Sequence, residues 1–319
     1  MDVCILGAGS LGSVIGGLVQ RAGGHEVTLV TRNAAHVQAI ERSGLTMTSD
    51  DDRIVARPTA ALTCDGLEPH DLVIVLVKSF DTADAIAGAD PVIGPSTTLL
   101  TLQNGVGCEQ IIGDAVGIER VVVGRTMVGG RMLEPGAVEY GVVGRRTVIG
   151  ELDGARSERI GTIADVLESA GIETTVSDDI AVEMWEKLFV NVATGAWSAL
   201  TRLPYGELSI HPDVAEAAVA TVAEAMTVAR ALGIEIRTTD PSVPWRRAWE
   251  GLPDGFRASM LQSVDRGSRT EVDVMHGAIS QAGRRANVPT PVNDTLWAAV
   301  KGLERHLELH RRSSADVRH

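Results

Sequence analysis

Aromatic side chains make up only 3% of this 319-residue chain. A large core must therefore come from Ala, Val, Leu, Ile and Gly, which suits buried parallel strands and close helix packing. Cysteine is scarce and unpatterned: Cys4, Cys64 and Cys108 show no CxxC or other ligand spacing, so neither a metal centre nor a disulfide framework is expected. An odd count without pattern points to reduced thiols and a cytoplasmic setting. Positive charge is short as well. Against 42 Asp and Glu there are 29 Lys and Arg, leaving a net charge of −13. Such a chain repels nucleic acid and anionic membrane in its mean field, but can still bind a small anion through local groups. No apolar run reaches membrane-spanning length. Met1-Asp2 leads straight into Val-Cys-Ile-Leu without the basic n-region of a secretory leader.

Hydrophobic residues supply 44% of the chain, enough for a sizeable core, and the length suggests two domains. The first half alternates short apolar runs with helical patterns. Val3–Leu6, Glu26–Thr31, Asp71–Val77, Thr97–Leu102 and Arg120–Val123 read as strands, and Leu11–Ala22 and Asn33–Ser43 as helices. That βαβα order predicts a Rossmann-type, doubly wound, mostly parallel sheet. From Thr126 to Glu151, Gly-Gly, Pro-Gly and Val-Gly turns separate β-rich runs expected to complete the sheet as antiparallel strands. Arg156–Ala170 reads as a helix and Ile172–Val176 as a short strand. The texture then changes. Ala181–Leu200, Val214–Leu232, Ala258–Asn287 and Pro291–Leu309 all read as helices, Pro241–Pro253 as an irregular connection, and the tail from Arg311 as frayed. The expected class is thus α/β plus all-α: a dinucleotide-binding domain over 1–176 and a helical substrate domain over 177–319. The helical half leaves room for a homodimer face, although no stripe demands one.

Gly7-Ala8-Gly9-Ser10-Leu11-Gly12 follows the first strand and opens the first helix. GxGxxG alone is a weak signal, but its placement here is informative. Gly7 permits the tight turn, Gly9 the approach of a pyrophosphate, and Gly12 close packing of helix on strand. About twenty residues on, an NAD site carries Asp or Glu. Here Thr31-Arg32-Asn33 stands instead, and a guanidinium clamps a 2′-phosphate where a carboxylate repels one, so Arg32 argues for NADP. Lys78 and Asn104 close two further strands, at the edge where open α/β sheets bind ligands. A solvated lysine and an Asn-Gly turn are the alternative readings.

In the second half, "AVEMWEKLFVN" sets Lys187 beside an apolar stripe of Val182, Trp185, Leu188, Phe189 and Val192. On its own the segment reads as a solvated lysine paired with Glu183 one turn earlier. Lys187, Asn191 and Thr194/Gly195 share a face. Ser259 and Glu271 lie just over three turns apart, about 18 Å on a straight helix, too far to meet one small substrate unless Gly267 interrupts it. Taken alone, they read as a helix-face hydroxyl and a surface carboxylate.

Five motifs together change these readings. GAGSLG at the start, LVK at 76–78, QNGVG at 103–107, WEKLFVN at 185–191 and SMLQSVDRGSRTEVDVMHG at 259–277 resemble, in order and spacing, the ketopantoate reductase family (2-dehydropantoate 2-reductases and related 2-keto-acid reductases). The resemblance covers nearly the whole chain. It implies that Lys187 is the general acid, that Glu271 belongs to the catalytic site, and that Asn191 and Ser259 contact a small 2-oxo acid. It also implies cofactor or active-site contacts for Lys78 and Asn104, and a 2′-phosphate contact for Arg32. Two amides of the family pattern are replaced. Gly195-Ala196, followed by Trp197, stands where an Asn-Pro pair is usual, and Phe256 replaces an asparagine three residues before Ser259. A less polar pocket follows, and with it a bulkier or more apolar 2-oxo acid as a competitor to ketopantoate. A non-catalytic NADP sensor would have no use for Lys187, Asn191, Ser259 and Glu271 together.

Overall fold

A computed structural model describes residues 1–50, 52–141 and 146–316. The chain divides into two compact units, Met1–Gln103 with Cys108–Glu183, and Asn104–Gly107 with Met184–His319.

The first unit is built on β1 (Asp2–Leu6), α1 (Ser10–Ala22), β2 (Glu26–Val30) and α2 (Ala34–Ser43). There follow β3 (Leu45–Thr48), β4 (Arg53–Ala56), β5 (Thr59–Ala61), β6 (His70–Val75), α3 (Thr82–Ala87), β7 (Ile93–Thr101), α4 (Cys108–Val116) and β8 (Val121–Thr126). The unit ends with β9 (Gly130–Glu134), β10 (Ala137–Tyr140), β11 (Thr147–Glu151), α5 (Glu158–Ser169) and β12 (Thr174–Val176). Eight strands form one sheet in the order β12-β11-β8-β7-β6-β1-β2-β5, parallel except where β11 meets β8. The chain reverses its direction of travel beside β1, with β2 on one side and β6 on the other. That is the switch point at which doubly wound sheets bind ligands. Leu72 to Val75 are fully buried, as an uninterrupted apolar strand covered on both faces should be.

The turn-rich stretch after Thr126 departs from expectation. Only β11 completes the main sheet. β9 and β10 join β3 and β4 in a second, four-stranded sheet, order β4-β3-β10-β9, whose early strands are too short to stand out by period. The Gly16-Gly17 pair in α1 explains the arrangement. A Cβ on Gly16 would lie 2.5 Å from Leu29 of the main sheet, and one on Gly17 would lie 2.4 Å from Met47 of the second. Helix α1 is thus wedged between two sheets, and only glycine lets it approach both. Buried His36 on α2 fastens the same layer. The Gly136 N–H donates to its Nδ1 at 2.8 Å, so Nε2 carries the hydrogen that faces Ser13 Oγ at 3.0 Å. Burial holds the ring neutral and its pKa low. All three cysteines are buried free thiols.

The second unit is helical: α6 (Ile180–Thr201, its first turn counted with the first unit), α7 (Tyr205–Ser209), α8 (Pro212–Ala231), α9 (Ser242–Trp249), α10 (Ser259–Asp265), α11 (His276–Ala286) and α12 (Pro291–Asp316). Its core packs Phe189, Val192, Val222, Met226, Ile279 and Val300. Two expectations fail here. The stretch 241–253 contains α9, whose Trp245 is buried and makes an edge contact with Trp249, so tertiary burial overrides its proline-rich composition. The long helix expected over 258–287 is broken. Helix α10 ends at Asp265, Gly267 turns with φ of 63°, a 3₁₀ turn covers Val272–Val274, and α11 starts afresh. Helix α12 continues beyond Arg311, while residues 317–319 and the expected Val143-Gly144 turn lie outside the described residues. No helix among the described residues is long and apolar enough to cross a membrane.

Complete burial lowers His276, at the start of α11, to about 4, with one ring nitrogen 2.9 Å from Asn293 Oδ1. The unfolded chain takes up this proton near pH 6.5 and the native chain resists it. Stability is therefore intact above about pH 6.5 and falls as pH drops toward 4, by about 3 kcal/mol from this group. Urea unfolding at pH 7 and 4.5 should show His276→Gln with a shallower pH dependence than the parent; an equal slope contradicts the assignment.

Candidate functional site

The glycine loop sits at the carboxyl end of β1. Gly7 adopts φ of 108°, and a Cβ there would lie 2.4 Å from the Val77 backbone nitrogen, so no other residue fits the turn. A Cβ on Gly12 would fall 2.4 Å from Gly7 O, which explains how α1 closes on the strand. Around Gly9, by contrast, nothing lies within 4 Å of an added Cβ. The loop amides of Gly7 and Ala8 are taken by Val30 O, Ser10 Oγ accepts from Met132 N, Leu11 is half-buried, and Gly9 caps α1 without a side chain. The start of α1 is therefore held rigidly and left without a capping oxygen, the electrostatic condition for an anion.

Arg32 and Lys78 stand at the carboxyl ends of β2 and β6, beside that loop. Both are exposed. The Arg32 guanidinium donates to Asp81 Oδ2 at 2.6 Å, a pairing the sequence reading did not anticipate. Asp81 closes the 3₁₀ turn Ser79–Asp81 that follows Lys78. Gln103 holds this turn from beneath: its buried amide donates to Val77 O and to Thr82 Oγ1, both at 2.8 Å, and accepts from Thr101 Oγ1. Gln103 was also missed. Its signal in the sequence was its place at the head of the QNGVG motif, directly after a strand.

In the second unit Lys187 is half-buried on α6, between the buried Trp185 and the buried Leu188–Phe189 pair. Its Nζ donates to Asn104 Oδ1 at 2.8 Å. Glu183, the partner suggested by helical spacing, accepts from Arg125 through Nε at 2.9 Å and a second guanidinium nitrogen. Asn104 is placed by its neighbours. Gly105 turns with φ of 83° against Val274 O, and the Val106 N–H donates to the same carbonyl at 3.1 Å. Glu186 steadies the helix beside Lys187 by accepting from the Arg237 and Thr238 amides at 2.8 Å. Asn191 is half-buried one turn along.

The break at Gly267 resolves the distance problem between Ser259 and Glu271. Both line one shallow depression, together with Met260, Ser263 and Met275. Glu271 is 7% exposed and Ser259 is open to solvent. Met260 also reaches Gly195, where an added Cβ would meet its Cε at 3.6 Å. Phe256 stacks at a tilt on Tyr205, rings 5.5 Å apart, and the Tyr205 hydroxyl lies 3.2 Å from Thr194 Oγ1 beside Gly195. Trp197 is packed against the helical core with its N–H on Thr221. The substituted positions therefore make apolar surroundings on α6 and α10.

Residues 3–154 match the family model described as Ketopantoate reductase PanE/ApbA, and residues 179–304 match its C-terminal counterpart. The chain is 34% identical over 307 residues to the 2-dehydropantoate 2-reductase of Halobacterium salinarum, covering 96% of this chain and 99% of that one. Among solved structures, a PanE/ApbA family ketopantoate reductase from Ralstonia eutropha JMP134 is 32% identical with a TM-score of 0.88, over 97% of this chain and 100% of that one. A D-mandelate dehydrogenase solved with NADH and anilino(oxo)acetate is 26% identical with a TM-score of 0.89, over the same shares.

Gly105 gives a direct test of how Asn104 is held. An alanine there must adopt a left-handed φ and place Cβ 2.2 Å from Val274 O. Gly105→Ala is expected to cost about 2–4 kcal/mol, seen as a lowered thermal midpoint; a loss below about 0.5 kcal/mol would show that the turn is not fixed by this contact.

Proposed function

Since the chain belongs to the ketopantoate reductase family, and is therefore an oxidoreductase of a family that uses a nicotinamide cofactor, we propose that it reduces 2-dehydropantoate to pantoate with NADPH, Lys187 acting as general acid. The observation that carries the reading is the bond from Lys187 Nζ to Asn104 Oδ1. It directs one N–H of a half-buried ammonium toward a defined acceptor, so Nζ is oriented within its own unit.

The first unit suits the cofactor. The space beside Gly9 and the uncapped start of α1 fit a pyrophosphate, and Arg32 and Lys78 supply cations at the neighbouring strand ends. When bound, the nicotinamide supplies the hydride that reaches the keto carbon. As charge builds on the keto oxygen, Lys187 stabilises it and then gives up a proton, leaving a neutral amine and a hydroxyl. Asn104 holds Nζ during that transfer, Asn191 orients the substrate from the next turn of α6, and Ser259 binds its carboxylate or a hydroxyl. Glu271 completes the catalytic site beside Ser259.

A second reading is favoured by the walls of the hollow. Met260 and Met275 line it, and Gly195 lies beside Met260, where an added Cβ would only reach ordinary contact distance. Thioethers make good contacts with aromatic rings, so methionine walls favour a 2-oxo acid with an aromatic side chain. The similarity to a D-mandelate dehydrogenase solved with anilino(oxo)acetate points the same way.

Both readings share one test. Lys187→Ala should lower kcat by about 10²–10⁴-fold while the Kd for NADPH stays within about twofold; near-normal turnover removes Lys187 as the acid. Comparing kcat/KM for ketopantoate and phenyl-substituted 2-oxo acids in the parent enzyme decides between the substrates.

A further inference from the structure

Two features of the first unit argue about the same ligand and pull in opposite directions. Arg32 offers the guanidinium that a 2′-phosphate needs, and Asp81 places a carboxylate against it at 2.6 Å. The pairing is unequal. Arg32 is 80% exposed at its side chain, whereas the Asp81 side chain is 24% exposed and belongs to a secured turn. The Asp81 N–H donates to Lys78 O at 2.8 Å, and the next residue, Thr82, is buried, receives Gln103 Nε2 and donates to Ser79 O. The guanidinium is the mobile partner and the carboxylate the fixed one.

Asp81 also gives something up to make this pair. It is the N-cap of α3, where an aspartate ordinarily accepts from the helix's own first-turn amides, yet its side chain makes no capping bond. A carboxylate that leaves a cap for a guanidinium is held there by charge. Any dianionic group brought to Arg32 then meets Asp81 as well. A ribose hydroxyl is different: it is a donor, and a carboxylate beside the adenosine ribose is how NAD sites accept it. In this chain the carboxylate that meets Arg32 comes from the turn after β6, while the end of β2 carries none.

We propose that Asp81 is a cofactor-specificity residue: by holding Arg32 it opposes the 2′-phosphate and lets the site take NADH alongside NADPH. This rests on the reading of Arg32 as the 2′-phosphate contact. Each cofactor uses a different half of the pair. NADPH binding draws Arg32 off Asp81, and NADH binding leaves the pair closed with Asp81 as acceptor.

Tryptophan-fluorescence titration of the full chain with NADPH and with NADH tests this without turnover. Asp81→Asn keeps the shape and removes the charge. Its ratio Kd(NADH)/Kd(NADPH) should rise about tenfold, mainly through tighter NADPH. Asp81→Ser, if the first variant folds poorly, should move the ratio the same way. A ratio within about twofold of the parent in a folded variant overturns the proposal. Arg32→Ala separates the two layers of argument. If it weakens NADPH and spares NADH while Asp81→Asn changes nothing, only the role of Asp81 falls. If Arg32→Ala leaves NADPH affinity intact, the reading of Arg32 itself has failed.

Discussion

A half-buried ammonium must keep its hydrogen-bond acceptors, and much of the second unit is arranged around that requirement. Lys187 projects from the side of a helix whose other face is the core stripe of Trp185, Leu188, Phe189 and Val192. The stripe sets the rotation of α6, so Lys187 can only emerge where it does. Asn104 then supplies an acceptor at 2.8 Å, and its own position depends on the Gly105 turn and on the Val106 bond to Val274. Three consecutive residues of the QNGVG motif thus act on one charge: one accepts, one turns, one anchors. The carboxylate one turn back is committed to Arg125.

Scarcity of aromatics has a structural counterpart in the first unit. With glycine and small aliphatics available, α1 is pressed between two sheets, Gly16 against one and Gly17 against the other. Glycine inside a helix costs about 1 kcal/mol relative to alanine, so the pair survives only because packing repays it. The same economy shapes the cofactor loop, where Gly7 and Gly12 close the turn and Gly9 alone leaves a flank open. His36 then carries a chain of contacts from the Gly136 amide through Ser13 toward Ala8 O in that loop. The loop's shape is set by buried contacts behind it and does not wait for a ligand.

The legible parts of the molecule were those governed by local period. The alternation of strands and helices, the loop after β1, and the helices flanking Lys187 follow from hydrophobic spacing. Short strands were invisible: β3, β4 and β5 span three or four residues each and carry too little pattern. The 258–287 stretch failed for the opposite reason, because its helical composition is continuous and only Gly267 hints at the break. That break is what makes the site readable, since a straight helix separates Ser259 from Glu271 and the broken one lines a single hollow with both. Pairings between distant segments, such as Lys187 with Asn104 and Arg32 with Asp81, carry no sequence period. The motif resemblance supplied both members of the first pair but only Arg32 of the second, and the contacts themselves came from the fold.

Two of the three cations singled out by sequence, Arg32 and Lys187, meet different kinds of acceptor. Arg32 meets a carboxylate, which lowers the net field it offers an incoming anion and converts part of the site into an acceptor. Lys187 meets an amide oxygen, which directs one N–H of the ammonium. These choices match different tasks. Recognition of a cofactor tail benefits from a tempered charge when two tails differ by one phosphate. Stabilising a transient alkoxide requires the whole charge at the moment it forms, because only interactions stronger in the transition state than in the ground state raise the rate. On the proposed function, the placement of Asp81 and of Asn104 therefore bears on how Arg32 and Lys187 are presented to their ligands.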